Sequence, residues 1–382
     1  MDHITFLVAM VIVTALAFDF TNGFHDTANA MATSIATGAL RPKVAVLISG
    51  ALNLVGAFLS TEVAKTISGG IVNDALVTPG MIFAGLVGAI LWNLMTWLLG
   101  LPSSSSHALF GGLIGAVWVG AGRSGVHFDM VVEKILIPAV ASPVVAGLAA
   151  LGATYLAYRL TQRTKKDTVS KGFRAGQVAS ASLVSLAHGT NDAQKTMGVI
   201  TLALISCGAL GKNAGPPVWV ILTAGLAIAM GTYIGGWRII RTMGKGIVDI
   251  ESPQGFAAES ASTAVILTSA NLGFALSTTQ VCSGGILGAG IGRKLAEVRW
   301  GTAGQMALAW LVTLPAAGVV GALAASAVVH GGTLGTVLIA VAALAVAAVI
   351  VVLSRRNPVH AANVNNAPTT AVRPPAQAGV SA

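Results

Sequence analysis

Charge is what this sequence has least of. Only 9% of its 382 residues are Asp, Glu, Lys or Arg, 54% are hydrophobic, and the mean hydropathy is +0.80. A soluble domain carries about a quarter charged residues. A chain this poor in charge cannot cover a globule with polar surface, which excludes a soluble protein and leaves a polytopic membrane protein. Cysteine is almost missing too. Cys207 and Cys282 stand alone in apolar or glycine-rich surroundings, which excludes a disulfide framework and a cysteine metal site. The first residues lack the basic n-region of a secretory signal, so the opening apolar run is expected to be a retained span. No nucleophile elbow appears, which speaks against an enzyme despite the presence of Ser, His and Asp.

What is abundant is glycine, with 46 residues, as close helix packing in membranes requires. The net charge of +9 does not indicate nucleic acid, because the basic residues lie between apolar runs. Their densest cluster, "YRLTQRTKKDTVSKGFR" at 158–174, has six Lys or Arg against one Asp and reads as a cytoplasmic loop.

The chain repeats itself. "GFHDTANAMATSIAT" at 23–37 lies against "GTNDAQKTMGVITLA" at 189–203, an offset of 166. "AKTISGGIV" at 64–72 lies against "IRTMGKGIV" at 240–248, and "SSSHALFGGLIGA" at 104–116 against "STTQVCSGGILGA" at 277–289. The order is the same and the offsets are nearly constant, as a duplication requires. We expect an all-α fold of two repeats, 4–158 and 176–330, joined by a basic loop at 159–175. An extra helix at 333–353 and a disordered tail at 354–382 follow. The expected count is about 10–12 membrane segments, with breaks or re-entrant stretches at 26–40 and 103–121. An odd number of segments per half makes the repeats inverted, and repeats of that kind mark secondary transporters with a midplane site at the repeat interface.

The candidate site residues sit at those stretches. Half one reads Asn22, His25, Asp26 where half two reads His188, Asn191, Asp192, so Asn and His exchange places while the aspartates stay. A carboxylate inside the membrane costs about 2.5–3.5 kcal/mol to insert, and two at equivalent positions argue for use. The second pair of motifs places three hydroxyl residues before a glycine-rich helix in each half: Ser104, Ser105, Ser106 and Ser277, Thr278, Thr279. Hydroxyls cap helix starts, and a helix start offers free N–H groups and a positive dipole end to an oxyanion. Carboxylates beside an oxyanion require either an intervening cation or an anion that carries a proton. Hydrogen phosphate has that proton at neutral pH and sulfate does not, which favours phosphate.

Two departures from symmetry matter. Asn29 aligns with Lys195, which is three residues past Asp192 at helical spacing. Lys195 is therefore a tethered cation or a structural neutraliser of Asp192. Glu259 is an isolated acid without a counterpart in half one, and reads as a cation or proton site.

"GFHDTANA" and "GTNDAQKT" resemble the duplicated G-A-N-D-x-A-N-A signature of the inorganic phosphate transporter (PiT) family. "SSSSH" and "STTQ" resemble its hydroxyl motifs, and "PQGFAAE" its Q-G-F segment. The resemblance covers about 5–330. It implies phosphate symport by an alternating-access, inverted-repeat carrier in the bacterial cytoplasmic membrane, with Asp26, Asn29, Asp192 and the hydroxyls 104–106 and 277–279 lining the site. The variant looks like the bacterial low-affinity branch, associated with proton coupling and neutral metal–phosphate complexes. Sodium-coupled members tend to have Asn where this chain has Lys195. His107 follows the first hydroxyl run as in the family, whereas Gln280 replaces the second histidine. The expected partners are phosphate, protons and the lipid bilayer, with a second copy of the chain as a further candidate and no nucleic acid. No resident cofactor is expected; H+ is the expected co-transported ion, with Na+ or a divalent metal as candidates. The alternatives are a sodium-coupled phosphate symporter, a sulfate permease and, in a different class, a small-ion channel.

Overall fold

The computed structural model of the chain describes residues 6–293 and 298–366. Among these, regular structure is helical apart from two isolated bridges. In half one the helices are α1 (Phe6–Ala36), α2 (Pro42–Gly56), α3 (Glu62–Gly69), α4 (Pro79–Leu99) and α5 (Ser105–Ala121). Next comes α6 (Phe128–Val131), which runs through a π-helical turn into α7 (Ile137–Thr161). In half two they are α8 (Lys166–Ser206), α9 (Val218–Ile234), α10 (Trp237–Arg241), α11 (Ser252–Asn271), α12 (Thr278–Ile291) and α13 (Trp300–Ser354). The duplicated motifs fall on matching elements. The first pair lies inside α1 and α8, and the hydroxyl pair opens α5 and α12. The bridges Val72–Val126 and Val248–Val298 stand in corresponding loops.

The first motif does not break its helix, contrary to the expected interruption at 26–40. α1 and α8 run straight through it. Polar side chains alone do not stop a helix when neighbouring elements satisfy them, and the stretch holds no proline. The expected loop at 159–175 is also mostly helical, with only residues 162–165 between α7 and α8. Lys, Arg and Gln are good helix formers, so the charge cluster signals exit from the membrane rather than loss of helix. At 1.5 Å per residue the 41 residues of α8 span about 60 Å. That is about twice the hydrocarbon thickness, so the basic start of α8 extends beyond it.

The expected disordered tail needs a similar correction. Arg238 donates from Nη2 to the carbonyls of Ser354 (2.7 Å) and Asn357 (2.6 Å), and Arg241 donates to the backbone and side-chain oxygens of Asn363 (3.0 Å each). Val364 is buried. Two arginines at the bend after α9 collect carbonyls that a composition-based reading leaves unpartnered. Residues 367–382 of that tail lie outside the described residues. The extra helix is the second part of α13, set off by a non-helical Gly332 (φ 54°, ψ −131°).

Four described helices, 6–36, 79–99, 128–161 and 300–354, are long and apolar enough to cross a membrane. A fifth span results if Val218–Ile234 and Trp237–Gly246, bent by 60°, count as one. This count leaves out helices that are short, like α5 and α12, or polar, like α8, and is therefore smaller than the 10–12 segments expected. The burial pattern is that of a membrane protein. Leu160, Leu311 and Leu344 on α7 and α13 are exposed, while Asp, His, Lys and Asn side chains lie inside.

The signature glycines set how closely the halves approach. A Cβ on Gly23 of α1 would lie 2.3 Å from the Ile228 carbonyl oxygen of α9. On Gly189 of α8 it would lie 2.2 Å from the Asn53 carbonyl oxygen of α2. Neither neighbour is a movable side chain. Gly189→Ala is therefore expected to lower stability by about 1–3 kcal/mol or more, as overpacking does. Thermal unfolding in detergent measures this, and a wild-type melting temperature would contradict the close-approach reading.

Candidate substrate and ion site

α1 and α8 carry the first motifs side by side, and the starts of α5 and α12 point at them. Asp26 accepts from His25 Nδ1 at 2.6 Å and from the Ser105 hydroxyl at 2.7 Å. Asp192 accepts from Lys195 Nζ at 2.5 Å and from the Thr278 hydroxyl at 3.1 Å. Ser105 and Thr278 are equivalent positions of the two hydroxyl motifs, so each half ties its helix start to its own aspartate. Carboxylates from the two halves converge on one histidine. Carboxylate oxygens of Asp26 and Asp192 and a ring nitrogen of His188 all lie within 4.8 Å of one another.

The histidines differ. His25 gives its Nδ1 proton to Asp26, because an ionised carboxylate only accepts, and its Nε2 faces the hydroxyls of Thr96 (3.2 Å) and Ser103 (3.3 Å). His188 Nδ1 is 3.1 Å from Asn53 Oδ1, while the Asn53 amide nitrogen donates to Thr232 at 2.8 Å. The Nδ1 of His188 is then the donor, and a neutral ring turns the lone pair of Nε2 toward Asp192 Oδ2 at 3.2 Å. The contact lacks hydrogen-bond geometry. Two acceptors face each other there, an arrangement that favours a cation or a proton between them.

The remaining predicted residues divide. Ser104 and Ser277 are N-caps, accepting from the backbone N–H of His107 (3.1 Å) and Gln280 (3.3 Å). Asn29 crosses from α1 to α12 and donates to both Thr278 (3.2 Å) and Thr279 (3.1 Å). Ser106 and Asn191 both donate to the Leu276 carbonyl, at 3.2 and 3.3 Å, and hold the extended segment before α12. His107 enters the network through its backbone. Trp310 Nε1 donates to the Pro102 carbonyl at 2.9 Å and fixes the corresponding segment before α5.

Glu259 is not brought to the aspartates. Its carboxylate accepts from Thr33 (2.5 Å) and Ser34 (2.6 Å) of α1 and from Ser180 and Gln177 of α8. Gln177 in turn accepts from Thr37 at 2.7 Å. Thr37 lines a cavity of about 480 Å³ with Lys166, Arg174 and Arg293 at the basic end of the molecule. The isolated acid thus lies behind a positively charged recess. All sixteen predicted residues are at most 5% exposed, so the site lies in the interior of the helix bundle.

Sequence reasoning does not pick out Thr96, Ser103, Asn53 or Asp19. Asp19 does carry a usable signal, an acid inside an apolar run. Duplication does not reveal it, because its counterpart at the same offset is Ser185.

A family model described as "Phosphate transporter family" matches residues 22–321. A Mycobacterium bovis protein named "Probable low-affinity inorganic phosphate transporter" is 59% identical over 363 residues, covering 94% of this chain and 87% of that protein. A Bacillus subtilis protein of the same name is 41% identical over 330 residues, covering 85% and 98%. A solved structure titled "The sodium-dependent phosphate transporter" superposes with a TM-score of 0.75 at 23% identity, covering 84% of this chain and 98% of that one.

Proposed function

This chain belongs to the phosphate transporter family, and we propose that it imports inorganic phosphate by proton-coupled alternating access between two inverted repeats. As a multi-pass membrane transporter it is not an enzyme. The observation that carries the coupling reading is the facing of a His188 ring nitrogen, Asp192 and Asp26 within 4.8 Å, beside hydroxyls from both helix starts.

The charges give the reason. With both aspartates ionised, Lys195 protonated and the histidines neutral, the formal charge of the cluster is −1 + −1 + 1 = −1. An incoming hydrogen phosphate is repelled by that charge and attracted by the starts of α5 and α12. Adding positive charge at the cluster resolves the conflict, so anion and cation bind better together than apart, and the linkage is reciprocal. A proton on His188 or an aspartate supplies it. Two carboxylates and one imidazole also fit a divalent metal of the Mg2+ or Mn2+ class travelling with phosphate as cargo. Lys195 already occupies one side of Asp192, as a fixed cation would, and this favours protons over sodium as the mobile ion.

The test is labelled phosphate uptake into proteoliposomes under a pH gradient or a sodium gradient, each with and without magnesium. Uptake driven by the pH gradient alone is expected. Dependence on sodium would overturn the coupling, and sulfate carried in preference to phosphate would overturn the substrate. A magnesium requirement would add the metal as cargo.

A further inference from the structure

A second group of buried polar side chains, which includes the predicted Asn22, lies next to the site and makes none of the bonds described above. Asp19 of α1 is fully buried, and its carboxylate makes no hydrogen bond of good geometry, although the Asn22 amide and the Thr196 hydroxyl are within hydrogen-bonding reach. Asn22, one turn along the same helix, is fully buried with both amide atoms unpartnered. Thr196 of α8 is fully buried, and its hydroxyl has Asp19 as its polar neighbour without forming a hydrogen bond of good geometry. Buried polar groups are nearly always bonded, and an ionised carboxylate without a donor inside a membrane is costly. One unsatisfied group could be a local misfit. Three that converge from two helices, one of them an acid, point to a ligand that comes and goes.

The charged groups around Asp19 are few. From α8 it feels Asp192 and Lys195, though it touches neither. On α1 itself, His25 and Asp26 bond to each other. α4 contains no titratable residue, α9 only the exposed Tyr233 and α2 only Lys43 at its start. Asp19 stands seven residues before Asp26, about 10 Å along the axis and nearly on the same face.

We propose that Asp19, with Asn22 and Thr196 around it, is a proton-carrying site that couples to the phosphate site through Lys195. The proposal rests on the proton-coupled reading above and adds a residue outside the cluster that carries a proton. A proton suits this place better than a metal ion. A mobile cation would lie near the Lys195 ammonium and be repelled, whereas a proton forms a bond to the carboxyl oxygen and leaves a neutral acid. The proton comes from water on the side to which the carrier is open and returns to water on the other side. With Asp19 protonated, Lys195 stays on Asp192. With Asp19 ionised, it competes for the same ammonium, and Asp192 loses its partner. Protonation of Asp19 and the state of the phosphate site are thereby linked, and the coupling acts in both directions.

The experiment compares two assays on reconstituted protein. The first is exchange of labelled for unlabelled phosphate at equal pH on both sides, which needs no net proton movement. The second is net uptake driven by a pH gradient. Wild-type exchange is measured first, and its absence would fail the transport reading itself rather than this proposal. Asp19→Asn mimics the permanently protonated acid. Exchange is expected to persist while net pH-driven uptake is lost. Persistence of both would overturn the proposal. So would loss of both in correctly folded protein, which would place Asp19 on the phosphate path. Net uptake that is driven by sodium in the wild type and lost in Asp19→Asn would make the ligand sodium and overturn the proton assignment. If Asp19→Asn fails to insert, Thr196→Val keeps the shape and removes a hydroxyl that can donate to the ionised carboxylate. Its net uptake should then show a pH midpoint moved to higher pH, and an unmoved midpoint would overturn the proposal.

Discussion

Asp26→Asn is expected to abolish phosphate uptake in a protein that still folds, and Asp192→Asn to abolish uptake while also weakening the fold. The aspartates match by duplication, but their surroundings differ. Asp26 is bonded to His25 and Ser105. Both partners are neutral or able to become so, and asparagine keeps an acceptor in place. Asp192 is the ion-pair partner of the fully buried Lys195. Its removal leaves an ammonium without a counter-charge, and breaking a buried pair from one side costs about 3–5 kcal/mol. Uptake at constant protein density together with thermal unfolding separates the two effects. Wild-type uptake by folded Asp26→Asn would remove that carboxylate from the mechanism. Equal melting temperatures for the two variants would remove the charge argument.

Lys195→Asn is expected to lower uptake in the absence of sodium, and added sodium is expected to restore part of it. The substitution puts asparagine at both matched positions, with Asn29 as the other, and takes a fixed positive charge away from Asp192. A mobile cation can then fill the role that Lys195 plays here. The carboxylate left behind can take up a proton, so this variant loses less stability than Asp192→Asn. The double variant Asp192→Asn with Lys195→Asn removes both charges and should be more stable than Asp192→Asn alone, since contacting residues are not additive. Transport by the double variant stays absent. Uptake by Lys195→Asn that matches wild type and ignores sodium would show that the lysine only neutralises its neighbour.

The residues behind these predictions are legible in the amino-acid sequence itself, because duplication acts as an internal control. Asp26 and Asp192, or Ser105 and Thr278, draw notice by recurring at nearly constant offsets in an apolar chain where each polar group is costly. Residues without a copy are harder to place. Glu259 stands out as an acid but not as a member of a separate cluster with Thr33, Ser34, Gln177 and Ser180. Asp19 has a serine at the equivalent position and escapes notice, although it is a fully buried acid without a hydrogen bond of good geometry. The continuity of α1 and α8 through their motifs is hidden for a related reason. Polarity in an apolar run resembles a break until the neighbours that satisfy it are known.

Composition alone determined that the chain lives in a membrane, since too few charges exist to cover a soluble surface. Repetition determined that there are two related halves and that their aspartates and hydroxyls form pairs. Which side chain bonds which was decided by the packing of helices from opposite halves. That packing puts Asn29 on α12, Asn53 on His188 and the two carboxylates near one imidazole nitrogen. The physical reason is that a helix periodicity specifies a face, whereas the partner of that face depends on how closely two backbones approach. Gly23 and Gly189 set that distance, each against a carbonyl far away in the chain.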